Sequence, residues 1–229
     1  VKRFWTEVAV DADHAIRLDS RPVRTPGRAP LTLPTPALAE AVADEWRAVG
    51  ETLDPRAMPL TGLANAAIDR IAPAPDGFAA GLAAYAESDL LCYRADAPAE
   101  LVARQAAAWD PLLDWARDRY DVHFEIVTGV MHRPQPPATI ARLDDAVASR
   151  DAFTLAPLSP LVTLTGTLIG ALALAEGAVT PGALWQAAMV DEDWQAERWG
   201  EDPLAAQARA GKRRDYDAAA RFLSLVEVS

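Results

Sequence analysis

Up to Leu33 the apolar positions come in short alternating runs separated by turn formers, and from Thr35 onward they recur at helical spacing. Phe4–Val10 predicts a strand. Ala15–Leu18 predicts a second after the polar turn Asp11-Ala12-Asp13, and Arg21–Thr25 a third after Asp19-Ser20. Pro26 and Gly27 break the chain before a further short strand at Leu31–Leu33. Thr35 is placed to N-cap a helix with Pro36 at its first position; Leu38, Ala41, Val42, Glu45 and Trp46 follow, and Gly50 closes it. A second helix is expected over Pro59–Ile71, with Leu60, Leu63, Ala64, Ala67, Ile68 and Ile71 on one stripe. Asp76–Glu87 predicts a third, and Leu90–Tyr93 a strand returning to the sheet.

Beyond Pro98 the pattern is mainly helical. Glu100–Tyr120 is long and amphipathic, with Trp109, Leu112, Leu113, Trp115 and Ala116 in its second half. Val122–Val127 predicts a strand, able like Leu90–Tyr93 to join the N-terminal sheet. Pro134, Pro136 and Pro137 then precede a helix ending near Arg150. Helices are expected over Pro157–Glu176, Thr180–Trp199 and Pro203–Leu225. The resulting fold class is α+β: an N-terminal α/β domain with short antiparallel strands over residues 1–95, and a C-terminal helical domain over 96–229.

A length of 229 residues allows one large core or two small ones. The net charge of −11 argues against nucleic acid, which is bound by neutralising phosphates with a basic face, and against anionic lipid. A basic or apolar protein surface is the better electrostatic match. The single cysteine, Cys92, excludes an intrachain disulfide. Val1–Val10 carries charged and aromatic residues in place of an apolar leader, so a cytoplasmic protein is expected.

Little in the sequence supports catalysis, a cofactor or a metal. His14, His123 and His132 are scattered, and Cys92 sits in the apolar run Leu90–Tyr93, where a cysteine behaves as a small buried hydrophobe. Asp191, Asp193 and Asp202 faintly resemble a calcium loop, but Gln195 and Ala196 stand where a third ligand and the turn glycine belong. Residues 152–175 are free of charge and contain Gly166 and Gly170 at GxxxG spacing. Pro157, Pro160 and three threonines favour a buried bundle helix there over a membrane span.

The most unusual stretch is Asp191–Asp202, where acids alternate with Trp194 and Trp199. On one continuous helix Glu192 would share an apolar stripe with Trp185, Ala188, Met189, Ala196 and Trp199. Such a carboxylate needs a partner. An internal arginine, Arg209, Arg213 or Arg214, would make it structural; a second protein would make it an interface in which tryptophans supply area and acids selectivity. Asp191, Asp193, Glu197, Glu201 and Asp202 read as a solvated acidic face, and the candidate client-binding residues are Glu192, Asp193, Trp194, Glu197 and Trp199. A carboxylate enzyme centred on Glu192 and Asp193, acting on a small molecule, is the rival reading.

Several segments in order resemble the family of assembly chaperones for the alpha subunit of F-type ATP synthase. They are Phe4-Trp5, the turn Leu18–Pro26, Glu45-Trp46, Met58–Thr61, Ser88–Arg94, Trp109–Leu113, and Glu192–Gln195 with Trp199-Gly200. The resemblance runs from the first residues to Gly200. It implies an α/β unit followed by an orthogonal helical bundle, and a non-enzymatic protein that is monomeric when free and inserts into no membrane. It also implies a client, the alpha subunit, whose assembly-facing apolar surface would otherwise aggregate. A scaffold for another client would use the same features. Eukaryotic relatives work in the mitochondrial matrix; a bacterial cytoplasmic member is expected here. Glu192 carries over as the functionally important acid, and Trp46 as a structural tryptophan.

Overall fold

A computed structural model describes residues 2–129, 133–200 and 202–226. His132 and Glu201 lie outside them. The chain forms two compact units, and both are discontinuous: Val1–Pro75, Arg150–Pro157 and Asp217–Ser229 make one, Asp76–Ser149 and Leu158–Tyr216 the other. Residues 76–95, read from sequence with the N-terminal domain, cluster with the second unit.

In the first unit β1 (Val8–Val10), β2 (Ile16–Leu18) and β3 (Arg21–Pro22) form an antiparallel sheet in that order, with Val8 opposite Leu18 and Arg17 opposite Pro22. The strands are shorter than the alternation predicts. Asp19 takes φ 53°, which suits an Asp in the tight β2–β3 turn. Its carboxylate accepts from Thr6 N (3.0 Å), Thr6 Oγ1 (2.9 Å) and Glu7 N (2.9 Å), and these bonds hold it below the usual carboxylate range. The Asp-Ser pair therefore pins the N-terminal segment as well as turning the hairpin.

Helix α1 (Pro36–Arg47) begins as expected: Thr35 Oγ1 accepts from Leu38 N, and Pro36 occupies the first turn. Helix α2 (Pro59–Ala66) lacks a local side-chain cap. Glu45 of α1 supplies one, accepting from Leu60 N, Thr61 N and Thr61 Oγ1, each at 2.7 Å. A carboxylate at a helix N-terminus also meets the positive end of its dipole. A wider π-turn, Ala67–Ile71, extends α2. It carries Asp69, which accepts from Thr25 Oγ1 (2.6 Å) and Gly27 N (2.7 Å). The Thr25–Gly27 turn is thus latched to the end of the second helical run.

A Cβ on Gly27 would lie 2.5 Å from Asp69 Oδ1 and 2.7 Å from its Cγ. Gly27→Ala should break this latch, costing about 1–2 kcal/mol and lowering Tm by about 3–6 °C. Scanning calorimetry in the Asp69→Ala background checks the cause, since the alanine should cost almost nothing once the carboxylate is gone.

The second unit holds α3 (Pro75–Ala83, from Asp76 on), β4 (Tyr93–Arg94), α4 (Ala99–Tyr120), β5 (Val127–Thr128) and α5 (Pro137–Ala148). There follow α6 (Ala152–Thr165), α7 (Leu168–Ala175), α8 (Pro181–Ala188), α9 (Val190–Trp199) and α10 (Pro203–Val226). The opening of α6 and the last turns of α10 belong to the first unit, where Phe222 joins a core of Trp5, Ile16, Leu31, Leu38 and Leu60. The class is α+β, helical in the larger part.

Three expectations are corrected. Leu90–Cys92 is a 3-10 turn, not a strand, because Asp89 caps it through Leu91 N (3.0 Å). Val122–Val127 contributes strand only from Val127, and β5 pairs parallel with β4, so neither segment joins the three-stranded sheet. The helices expected over Pro157–Glu176 and Thr180–Trp199 are each two. Gly166, at φ 72°, ends α6, and Met189, at φ −97° and ψ 7°, separates α8 from α9. No helix among the described residues is long and apolar enough to cross a membrane.

Helix α4 is the axis of the second unit, packing on α7, α8 and α9. Trp109, Leu112, Leu113 and Ala116 meet Leu91, Cys92, Ile169 and Ala187, and Trp109 Nε1 donates to Ala187 O at 2.7 Å. A buried indole whose N–H is satisfied combines large apolar area with a fixed orientation.

Candidate functional site

The acidic stretch occupies α9 and the turn into α10. Gly200, at φ 82°, ends α9, and Asp202 opens α10 by accepting from Ala205 N (3.2 Å) with Pro203 in the first turn. Asp202 is therefore an exposed carboxylate that also caps a helix.

Most of the other acids are also engaged. Asp191 accepts from Gln105 Nε2 of α4 at 2.8 Å, and the Oε1 of this buried glutamine accepts from Ala95 N at 2.8 Å. Asp193 pairs with Arg209 of α10. Glu197 pairs with Arg104 at 2.8 Å, and Arg198 reaches Glu100 at 3.0 Å. Such pairs near the surface add little stability individually, but they fix how α9 lies on α4 and α10. The acidic face expected from sequence keeps its exposure at Glu197 and Asp202, while Asp191, Asp193 and Glu197 are also tied to neighbouring helices.

Trp194 is buried, and the guanidiniums of Arg104 and Arg198 stand over its ring at 4.8 and 4.5 Å from the centroid. Of the five candidate client-binding residues it alone offers no surface; it carries α9 from beneath. Trp199 is the opposite, 77% exposed. The break at Met189 places Trp185 on α8, so the continuous stripe expected through Trp185 and Trp199 is split between two helices.

Glu192 is exposed and has no hydrogen-bond or ion-pair partner among the described residues. Of the three arginines offered as its internal partner, Arg209 goes to Asp193. Glu192 faces a groove of about 410 Å³ between α9 and α10, shared with Met189, Trp199, Ala205, Ala208 and Lys212. Lys212 likewise has no ion-pair partner among the described residues. Leu204, on the first turn of α10, is 74% exposed. Sequence reading missed the α10 wall. Its signal was faint: small residues at Ala205 and Ala208 followed by Lys212, the i, i+3, i+7 spacing of one helix face.

Among the described residues no three His, Cys, Asp or Glu side chains gather as metal ligands, and the calcium-loop spacing has no structural counterpart. Cys92 is fully buried, and burial pushes its thiol up to about 12, leaving it inert as a nucleophile.

The groove is thus walled by two helices, with exposed Trp199 and, unpaired among the described residues, Glu192 in its lining. The chain matches the ATP12 chaperone protein family over residues 2–117. It is 45% identical to Atp12 from Paracoccus denitrificans, with 99% of this chain and 98% of that one covered at a TM-score of 0.92. A point mutant of the Paracoccus protein superposes at 0.94 with the same identity and coverage. A candidate chaperone from Agrobacterium tumefaciens is 42% identical over 99% of this chain and 86% of that one, at 0.92. The chain belongs to the ATP12 chaperone family. Its role is that of a chaperone and not of an enzyme.

Proposed function

We propose that this protein holds the free alpha subunit of F-type ATP synthase until the catalytic head assembles, burying part of the subunit's apolar surface in the groove between α9 and α10. The observation that carries this reading is the unpartnered Glu192 beside exposed Trp199 in that groove. A free carboxylate among apolar walls selects a client segment that presents a cation within an apolar patch. Asp193 and Glu197, tied to Arg209 and Arg104, add to the negative charge that α9 presents. The net charge of −11 draws a basic client surface and discourages self-association.

Holding of this kind needs no nucleotide: the client leaves when its proper neighbour offers a better interface. Affinity must stay moderate, since too tight a holder would block assembly.

Light scattering tests the reading directly. Isolated alpha subunit should stop aggregating when this protein is added near equal molar ratio without nucleotide, and the two should co-elute from a sizing column. An undiminished scattering signal with no complex would refute the assignment. Equal suppression for an unrelated aggregating protein would make it a general holder.

A further inference from the structure

The first unit contains a second cleft, of about 370 Å³, which the acidic motif does not explain. One wall is the Arg24–Pro26 turn, held by the Asp69 latch; the opposite side is Trp46 at the end of α1, with Leu53, Met58 and Asn65 between. Its walls are fixed by the two carboxylates described above, Glu45 capping α2 and Asp69 gripping the turn.

Three observations converge on it. First, among the described residues three buried side-chain polar atoms lack a hydrogen-bond partner, and two of them, Trp46 Nε1 and Asn65 Oδ1, belong to residues lining this cleft. Natural folds leave such atoms unpaired rarely, so each calls for an explanation. Second, Gly62 sits inside α2 on the same lining, and a Cβ there would meet nothing within 4 Å. Packing gives no reason for a glycine that weakens the helix. Third, among the described residues the guanidinium of Arg24, at the rim, bonds to Arg28 O alone, at 2.8 Å.

One indole donor and one amide acceptor are the complement of a peptide group, whose carbonyl accepts and whose N–H donates. The remaining lining, Pro26, Leu53, Pro55 and Met58, is apolar and suits a neighbouring side chain. We propose that this cleft is a second polypeptide-binding site, which takes an extended segment of an unfolded chain by one main-chain amide and an apolar side chain. The two polar atoms are shielded from solvent, so the segment binds by induced fit: the side chains covering Trp46 Nε1 and Asn65 Oδ1 part, and the incoming amide pairs with both. Trp46 then has a role beyond the structural one expected for it. Its ring packs on Trp5 at 5.5 Å while its N–H is kept for the guest.

The site stands independently of the groove at Glu192, and its test does not use the alpha subunit. The probe is fluorescein-labelled α-lactalbumin, reduced and carboxymethylated so that it stays unfolded. Binding is followed by anisotropy and by the ¹H–¹⁵N cross-peak of the Trp46 indole, identified by its loss in Trp46→Phe. The cross-peak should move downfield on binding, in Glu192→Lys as in the parent. Asn65→Leu should weaken binding about three- to tenfold while Tm holds or rises, because an unpaired buried oxygen is removed. Gly62→Leu should fill the cleft and abolish the shift. The proposal is overturned if the probe fails to bind, if the indole signal does not respond, or if Asn65→Leu binds as the parent does. A fall in Tm for Asn65→Leu would also overturn it, because the amide would then be structural.

Discussion

Replacing Asp89 with alanine should lower stability by about 3–4 kcal/mol and Tm by about 8–14 °C, the largest loss expected from any single polar side chain in this protein. Asp89 is completely buried, yet its carboxylate serves two helix starts. It accepts from Leu91 N at 3.0 Å, capping the 3-10 turn, and from Ile169 N at 3.0 Å, with Leu168 N and the Thr167 hydroxyl beside it at the start of α7. Thr167 in turn caps Gly170 N at 2.9 Å, and Leu90 N donates to Gly166 O at 3.0 Å across the break that ends α6. Removing the carboxylate orphans several buried donors together, and a cavity lined by apolar side chains cannot repair that. Calorimetry is the check. A loss under about 3 °C would mean that water or a rearranged backbone satisfies those donors, and that the latch matters little.

The same residue sets a pH dependence of unusual sign. Burial raises the Asp89 carboxyl from its ordinary 3.8 to about 6, against the pull of its hydrogen bonds. The folded state therefore holds this proton more readily than the unfolded chain does. Stability from this group is greatest near pH 4 and falls as pH rises to about 6, after which it is constant; over that window the loss is about 3 kcal/mol. Exposed Asp19 runs the other way, because its hydrogen bonds lower its pKa and its contribution fades as the solution turns acid. Asp89→Asn should be destabilised at every pH, since its amide nitrogen confronts backbone donors. The gap between parent and variant should narrow as pH rises from 4 to 6. An unchanged gap would show that burial leaves the Asp89 carboxyl titrating as it does in the unfolded chain.

How much of this was legible depends on the range over which each feature is determined. The start of α1 was readable because Thr35, Pro36 and Leu38 settle it within one turn. Thr180 at the start of α8 is of the same kind, its Oγ1 accepting from Ala183 N at 3.2 Å. The Ser88–Arg94 segment was not, because its apolar letters suit a strand and only Asp89, bonded to residues 80 positions away, makes it a capped turn. Glu45 was placed on an apolar stripe, although its work is to cap a helix 15 residues on. The Gly166 break was masked by the uninterrupted apolar run around it, and the Met189 break carries no glycine or proline to announce it. At the acidic motif the sequence offered the residues but not their pairing. Asp193 and Glu192 are neighbours on α9, and nothing in one sequence says which faces Arg209. The groove in which Glu192 remains free needs α10 for its second wall.

That pairing decides the second large effect. Glu192→Lys should leave the circular dichroism spectrum intact and Tm within about 1–2 °C of the parent, because the side chain exchanged is exposed and has no partner among the described residues. Its effect should fall on the client. A lysine at position 192 would join Lys212 and Arg209 in the groove and repel a cationic segment that the glutamate attracts. Aggregation of alpha subunit should then need about tenfold more protein to suppress, or escape suppression altogether. Glu192→Gln, which loses attraction without adding repulsion, should fall between the two. Raising salt toward 1 M should bring all three proteins together, since screening removes what distinguishes them. Asp193→Lys serves as the contrast: it breaks the tie to Arg209 and should lower Tm as well as binding. A Glu192→Lys protein that is folded and suppresses aggregation at the parent's molar ratio would remove Glu192 from the client site. The search would then move along the groove to Trp199, whose exposed indole is its largest apolar surface.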